Sequence, residues 1–152
     1  MSAAGNGHNP GMGTRLRSLG LASLVLLPAA CRTEAPAHLP AEGALGPYSA
    51  AVSSGDLVFL SGKIGKSSGG VGQDVEAAID SIEKELARVG LSLADVVSVN
   101  VFLTDIAAYP ELNAAYAKRF PQPYPARTTV AVTALPGGAR VEIQAVAVRR
   151  RA

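Results

Sequence analysis

Five apolar residues recur at alternating spacings of four and three, and this pattern constrains the fold more than any other part of the chain. They are Val75, Ile79, Ile82, Leu86 and Val89. An α-helix has 3.6 residues per turn, so this spacing places them on one helical face, with charged residues on the others. Gly90 predicts the end of the helix. A helix with one apolar face must bury it against another element, so the chain needs a sheet or a second helix beside it.

Apolar runs ahead of this helix predict two strands. Residues 48–52 and 57–61 lie on either side of Gly55-Asp56, a pair typical of a tight turn between antiparallel strands. Residues 65–72 are rich in glycine and serine, and we expect them to form a loop that leads into the helix. The folded part therefore starts with a hairpin followed by a helix.

A second set of elements follows the helix. Residues 96–103 alternate well enough to predict a third strand. Pro110 suits the first turn of a second helix, and Pro121 ends that helix. Residues 128–134 and 141–148 are predicted to be the last two strands. This order of elements predicts an α+β fold, a single domain in which two helices pack on one face of a mixed sheet.

The last predicted strand also predicts self-association. Val146 and Val148 share a face with Glu142 and Gln144, because side chains alternate along a strand. With the helices on the opposite face, this partly apolar surface would stay wet in a single copy. We therefore expect the chain to associate.

The charge of the chain argues against nucleic-acid binding. Its 152 residues carry 14 Lys and Arg against 12 Asp and Glu, and Arg15 and Arg17 precede the first acidic residue. The part beyond Cys31 is therefore formally neutral, whereas a surface that follows nucleic-acid phosphates is basic. His8, His38 and the single cysteine all lie outside the predicted domain, so neither a metal nor another cofactor is expected.

The N-terminal segment has the pattern of an export signal. Two arginines precede an apolar stretch at 19–27, and Pro28-Ala29-Ala30 supplies small residues before Cys31. The segment resembles a bacterial lipoprotein signal, in which the cysteine is lipidated and becomes the new N-terminus. We predict a signal peptide over 1–31 and a periplasmic or membrane-anchored protein. Plain secretion stays open, as does a mis-assigned start codon, which would leave the protein cytoplasmic.

A short linker separates this signal from the domain. Residues 32–45 are rich in alanine and proline with scattered charges, a composition typical of linkers. The predicted domain therefore covers 46–152.

An arginine at the start of one predicted strand and a glutamate inside the next indicate a binding or catalytic site. Arg127 comes two residues after Pro125, and Glu142 lies between Val141 and Ile143. A guanidinium can hold a substrate carboxylate with two hydrogen bonds, and a carboxylate in an apolar setting can orient or deprotonate water. Two plainer interpretations stay open. Arg127 can be a solvated or structural side chain, and the two residues can form a structural ion pair.

Six short motifs resemble the RidA family, also called YjgF, of small enamine and imine deaminases. They occur in the family's order from about residue 46 to residue 150 and read Gly46-Pro47-Tyr48-Ser49, Leu60-Ser61-Gly62, Val101-Phe102-Leu103-Thr104-Asp105, Leu112-Asn113-Ala114-Ala115-Tyr116, Pro125-Ala126-Arg127 and Val141-Glu142-Ile143. The resemblance implies a chorismate-mutase-like fold and a homotrimer with clefts between subunits.

The family's site residues match residues of the same type in this chain. The resemblance implies that Arg127 binds the substrate carboxylate and that Glu142 orients water. It also implies four further substrate-binding residues, which are Tyr48, Ser61, Gly62 and Asn113. Three positions depart from the well-studied deaminases, since Lys63 replaces a glutamine, Thr129 a cysteine and Gln144 an acid. These changes bear on substrate preference, and Lys63 would favour a larger anion if it pointed into the cleft.

The reaction expected from this resemblance is hydrolytic deamination of 2-imino acids, which arise from enamines, to 2-oxo acids and ammonia. The chain would then be a hydrolase similar to 2-iminobutanoate/2-iminopropanoate deaminase. Two other classes stay open. One is a non-catalytic module that binds a small ligand or a partner. The other is a ribonuclease, which the neutral charge disfavours.

Overall fold

The computed structural model describes residues 35–150, which form one domain of seven strands and two helices. The predicted signal peptide, 1–31 with its Cys31, lies outside the described residues. The helices are α1 (Val71–Arg88) and α2 (Tyr109–Arg119). The strands are β1 (Ala37–Pro40), β2 (Ser49–Ser54), β3 (Leu57–Leu60), β4 (Lys63–Gly65), β5 (Val96–Leu103), β6 (Ala126–Ala131) and β7 (Val141–Val148).

All seven strands belong to one mixed sheet. The main order is β1-β2-β3-β7-β5-β6, and β4 pairs with β7 beyond the end of β3. Only β5 and β6 are parallel, because α2 lies between them and returns the chain to the same end of the sheet. β7 is central, since β5 pairs along one of its edges while β3 and β4 share the other. The predicted α+β fold is confirmed.

The amphipathic face of α1 covers the sheet as predicted. Val75, Ile79, Ile82 and Leu86 are fully buried. Burying each of them contributes roughly 1.5–3 kcal/mol. The helix starts at Val71, inside the predicted loop at 65–72, and Gly70 before it is extended. None of the helices within 35–150 combines the length and apolar composition that crossing a membrane requires.

Alternation along β5 and β7 sorts their side chains into two layers. In β7 the odd-numbered residues are buried beneath the helices, and the even-numbered residues are half-buried on the opposite face. In β5, Val99, Val101 and Leu103 are buried while Asn100 and Phe102 are only half-buried. The predicted faces of both strands are therefore confirmed.

The predicted linker at 32–45 differs from the structure. Residues of β1 pair antiparallel with β2, and His38 Nδ1 lies 3.1 Å from Ser49 Oγ. His38 therefore belongs to the domain, although its position was predicted to lie outside it. An edge strand is held by main-chain hydrogen bonds, so alanine and proline at its exposed positions give no apolar pattern to detect.

Three strand boundaries also differ from the predictions. β4 ends at the first residue of the loop predicted at 65–72 and begins two residues before it. A strand forms there because pairing with β7 satisfies the backbone hydrogen-bonding groups of even a short segment. β6 begins before 128 and ends before 134. β2 is shifted towards its turn relative to 48–52. Each difference lies at an element end, where side-chain periodicity carries little information.

An ion pair between the buried Asp74 and the partly exposed Arg140 ties the loop after β4 to α1 and to the start of β7. The Asp74 side chain is 2% exposed and accepts hydrogen bonds from Arg140 Nε at 2.7 Å and from the backbone amide and hydroxyl of Ser67 at 2.6 Å each. Burial alone raises the pKa of Asp74, but the bonds from Arg140 and Ser67 outweigh burial and hold that pKa below its usual value. The charged carboxylate therefore stabilises the folded chain.

We predict that Asp74→Asn lowers the free energy of unfolding by about 1–3 kcal/mol at neutral pH, because Arg140 loses its charged partner. Since the folded pKa of Asp74 is depressed, this stabilisation is complete above the unfolded value, near pH ~4, and is lost as the pH falls through the folded value. Urea unfolding at about pH 7 and about pH 3 measures the effect.

Asp80→Asn is the matched control for this substitution. Asp80 is 66% exposed and pairs with Arg119 at 2.7 Å, so its loss should cost less than about 1 kcal/mol. A stability deficit of Asp74→Asn that is equal at both pH values would contradict the assignment.

Candidate active site

Arg127 is held by two side chains of α2. Its Nη2 donates to Asn113 Oδ1 at 2.6 Å and to the Tyr109 hydroxyl at 3.2 Å. Its Cζ lies 4.6 Å from the ring centroid of Tyr116, so the cation rests over an aromatic face. The guanidinium is thus oriented before any ligand arrives.

The spacing of α2 explains why these side chains meet. Tyr109, Asn113 and Tyr116 recur at intervals of four and three, so they share one helical face. Arg127 pairs with the buried Val99 of β5, and its side chain therefore lies on the sheet face that carries the helices. No strand in 35–150 continues the sheet beyond β6, and a cavity of about 780 Å³ opens beside this edge.

Tyr116 serves both packing and the cavity. Its ring stacks on Phe120 with the centroids 4.2 Å apart, as expected from helix packing, and it also lines the cavity beside Arg127. Burial raises the pKa of Tyr116 to about 12, despite the opposing effect of the Arg127 charge. The phenol is therefore neutral at physiological pH. Its hydroxyl and that of Thr129, which lines the same cavity, are buried without a hydrogen-bond partner in the described chain.

Glu142 lies in a second group of predicted site residues. It pairs with Phe102 of β5 on one side and Ile64 of β4 on the other. A cavity of about 310 Å³ is lined by Glu142 together with Tyr48, Ser61 and Gly62. A Cβ at Gly62 would collide with the Glu142 carboxylate, so only glycine leaves the carboxylate in this position.

The Ser-Gly motif interrupts the edge that pairs with β7. β3 ends at Leu60 and β4 begins at Lys63, so Ser61 and Gly62 lie in the gap between the two strands. The Ser61 backbone amide donates to the Ala50 carbonyl at 3.0 Å, and its hydroxyl donates to the Ser49 carbonyl. These bonds fix the break next to Glu142.

The two groups lie on opposite faces of the sheet. Arg127 is in register with Val99 of β5, whereas Glu142 is in register with Phe102. Positions an odd number apart on one strand point to opposite faces. A structural ion pair between Arg127 and Glu142 is therefore the wrong interpretation for one chain, and no such pair occurs within 35–150. One copy does not bring the two predicted catalytic residues together.

The three positions that depart from the family are also divided between the two faces of the sheet. Lys63 Nζ lies 3.1 Å from Glu85 of α1, and only 16% of its side chain is exposed. Lys63 does not point into the cleft of one copy, so the condition for favouring a larger anion is not met there, because its register with the buried Ile143 turns it towards the helices. Gln144 accepts a hydrogen bond from Asn100 at 3.2 Å on the Glu142 face. Thr129 alone lies beside Arg127.

Sequence reasoning missed Tyr109 and Ile106 in the Arg127 cavity. Tyr109 precedes Asn113 by four residues, and that helical spacing is the signal that would have found it. Ile106 lies in a short 3₁₀ turn, Ile106–Ala108, which has no periodicity to read. Among residues 35–150, no three His, Cys, Asp or Glu side chains gather as a metal site requires.

The fold and these cavities define a small α+β domain with one cleft beside an arginine and another beside a glutamate. The family described as Endoribonuclease L-PSP matches residues 39–149, and the chain belongs to this family. The match begins inside β1, in agreement with the extension of the domain into the predicted linker.

Relatives and solved structures cover most of the domain. The chain is 36% identical to "Reactive Intermediate Deaminase A, chloroplastic" of Arabidopsis thaliana, over 86% of this chain and 74% of that protein. It is 37% identical to human "2-iminobutanoate/2-iminopropanoate deaminase", over 72% of this chain and 85% of that protein.

Two solved structures have the same fold. RidA from the Antarctic bacterium Psychrobacter sp. PAMC 21119 superposes with a TM-score of 0.67 at 36% identity, over 74% of this chain and 94% of that chain. TdcF from E. coli, solved with bound serine, gives 0.66 at 30% identity, over 71% and 92%.

We predict that Gly62→Ala lowers turnover of an imino acid by roughly tenfold or more, since displacing a reacting group by about an ångström has effects of that size or larger. The colliding atoms belong to the flexible end of Glu142, so the melting temperature should change little. Steady-state kinetics and thermal melting measure the two effects.

Gly72→Ala is the matched control, because a Cβ there meets only an ordinary contact with the Glu111 carbonyl at 3.9 Å. Equal turnover by the Gly62→Ala and Gly72→Ala proteins would show that the position of Glu142 does not matter.

Proposed function

We propose that this protein hydrolyses 2-imino acids, formed from reactive enamines, to 2-oxo acids and ammonia. The observation that carries the proposal is the Arg127 guanidinium, oriented by Asn113 at the wall of an open cavity. The names of the Arabidopsis and human relatives, both deaminases, support the reaction. The serine bound to TdcF supports a ligand that carries a carboxylate.

Arg127 would bind the substrate through its carboxylate. Guanidinium groups hold carboxylates with charge-assisted hydrogen bonds, and these are about twice as strong as neutral ones. Because Asn113 fixes the guanidinium, little side-chain entropy remains to be lost on binding. The neighbouring aromatic rings exclude water from one side of the cation. This arrangement selects acids over neutral imines.

Glu142 would direct water onto the imine carbon. A new C–O bond forms while the imine nitrogen takes up a proton, which gives a carbinolamine. The C–N bond then breaks as the hydroxyl proton is transferred, through the Glu142 carboxylate, to the leaving nitrogen, and the products are the 2-oxo acid and ammonia. No metal or cofactor takes part in this scheme. Free imines already hydrolyse in water, so the enzyme needs to supply only positioning and proton transfer.

We further propose that the reaction site forms between chains of a homotrimer. Arg127 and Glu142 lie on opposite sheet faces of one copy, so a second copy has to supply the missing residue. The number three comes from the resemblance to the family. The sheet face that carries Glu142 supports the contact, because it presents an apolar surface made of Leu57, Phe59, Phe102, Val130, Val146 and Val148.

We predict that Arg127→Ala lowers activity by about a hundredfold or more, because hydrogen bonds to a charged group contribute roughly 1.5–3 kcal/mol each. Arg127→Lys should recover little, since an ammonium group cannot keep the hydrogen bonds to Asn113 and Tyr109 while it also binds the carboxylate. Glu142→Gln should lower kcat by roughly a hundredfold with a smaller effect on KM. Ammonia release from imino acids made in situ by an amino-acid oxidase is the assay.

Two outcomes of this assay would redirect the proposal. Wild-type rates in both the Arg127→Ala and Glu142→Gln proteins would exclude the mechanism. A wild-type protein that binds 2-oxo acids but releases no ammonia would support the non-catalytic alternative. The ribonuclease alternative has little support, because His38 is the sole histidine within 35–150 and its ring lies against Ser49.

Mixed trimers provide a direct test of the shared site. Co-expressed Arg127→Ala and Glu142→Gln chains should regain activity, although each is inactive alone. About a quarter of the sites would pair an intact Arg127 with an intact Glu142 if neighbours assort at random. Sedimentation of the unmodified protein should report three chains. Inactive mixtures that nevertheless sediment as mixed trimers would contradict a site shared between chains.

We also propose that the chain is exported and anchored by a lipid on Cys31. The support is the sequence pattern before that cysteine, which resembles a bacterial lipoprotein signal. Cys31→Ser should move the protein from the membrane fraction to the soluble fraction or leave it unprocessed. A wild-type protein that is wholly soluble and retains Met1 would contradict the proposal.

A further inference from the structure

The Tyr109 hydroxyl binds one of the donor nitrogens of the Arg127 guanidinium. Its oxygen accepts a hydrogen bond from Arg127 Nη2 at 3.2 Å, and Asn113 Oδ1 accepts from the same nitrogen at 2.6 Å. Nη2 carries two hydrogens, so these two contacts engage both of them. Within 35–150, no hydrogen bond of Arg127 Nε or Nη1 accompanies them.

This arrangement limits how Arg127 alone can receive a carboxylate. A guanidinium offers two bidentate edges, one formed by Nε with Nη2 and the other by Nη1 with Nη2, because Cδ blocks the third edge. Nη2 is common to both edges. With both of its hydrogens engaged, each edge keeps only one free donor, and a carboxylate needs a second donor beside it.

The Tyr109 hydroxyl is placed to be that second donor. Its oxygen accepts from Nη2, so its own hydrogen points away from the guanidinium and is free to donate. It lies on one of the two edges, beside the free N–H of that edge. A carboxylate oxygen bound to that N–H would therefore be a neighbour of the phenol, and hydroxyl-to-carboxylate hydrogen bonds are short and strong. The Tyr109 side chain is accessible, since the residue is 41% exposed and lines the cavity.

We propose that Tyr109 is a substrate-binding residue that completes the carboxylate site together with Arg127. The substrate carboxylate accepts one hydrogen bond from the free N–H of Arg127 and one from the Tyr109 hydroxyl. The ligand class is a small 2-imino or 2-oxo carboxylic acid, and in this respect the inference rests on the proposed function. Asn113 keeps its shorter bond and acts only to position Arg127.

The test is calorimetric titration of the full-length protein with 2-oxobutanoate, a stable acid that resembles the proposed product. Tyr109→Phe keeps the ring but removes the hydroxyl. Its Kd should rise by roughly tenfold, as expected for the loss of one hydrogen bond to a charged group. The neutral amide of the same acid should bind the wild-type and Tyr109→Phe proteins equally, because it lacks the charge that strengthens the bond.

Tyr124→Phe is the matched control. Tyr124 lies at the rim of the same cavity, but its hydroxyl accepts from Gln122 at 3.3 Å and does not contact Arg127. Its Kd for 2-oxobutanoate should stay within about twofold of the wild-type value, since no bond to the carboxylate is lost. An unchanged or lower Kd in Tyr109→Phe would overturn the assignment of Tyr109.

The same titration separates this inference from the proposed function. Binding that needs both Arg127 and Tyr109, without ammonia release from imines, would reject the hydrolysis and leave the carboxylate site standing. Binding that needs Arg127 alone would reject the role of Tyr109 and leave the hydrolysis standing. An absence of binding by the wild-type protein would reject the carboxylate site and with it the role of Tyr109.

Discussion

The pairing of β7 with β5, β3 and β4 is the constraint on which the rest of the structure depends. Side chains alternate along β7, so Val141 and Ile143 lie under the helices and Glu142 lies on the opposite face. The first group provides the apolar floor that α1 covers, so the helix and the strand bury each other. The same alternation places the Glu142 carboxylate in a cavity beside Tyr48 and Ser61. One strand therefore contributes both to the core and to the cavity around Glu142.

The location of the site follows from this sorting of faces. β6 continues the sheet beyond β5 in parallel register, and that register places Arg127 on the helix side. A single chain thus carries two halves of a site that cannot meet through the sheet. If the apolar face around Glu142 is covered by a neighbouring copy, burial of that face and completion of the site become one event. Assembly would then be a condition for catalysis.

The Arg127 guanidinium is oriented before a ligand binds. The cation rests on the ring of Tyr116, and Asn113 fixes its direction, so the cost of ordering the guanidinium is met during folding. The neutral Tyr116 phenol adds no charge to compete with a bound acid. A hydroxyl from Tyr109 bonds the same nitrogen, so α2 and β6 together orient the guanidinium.

Local periodicity in the sequence determined the helices and the alternating strands, and the resemblance of short motifs to a known family indicated the candidate site residues. Tertiary pairing decided the rest. β1 shows no apolar pattern because an edge strand needs only backbone partners, and the bond between Asp74 and Arg140 joins positions 66 residues apart. The direction of Lys63 and the separation of Arg127 from Glu142 depend on strand register, which is a relation between distant segments. A shift of one residue reverses every side chain of a strand, so only the folded sheet could settle which faces Lys63 and Arg127 occupy.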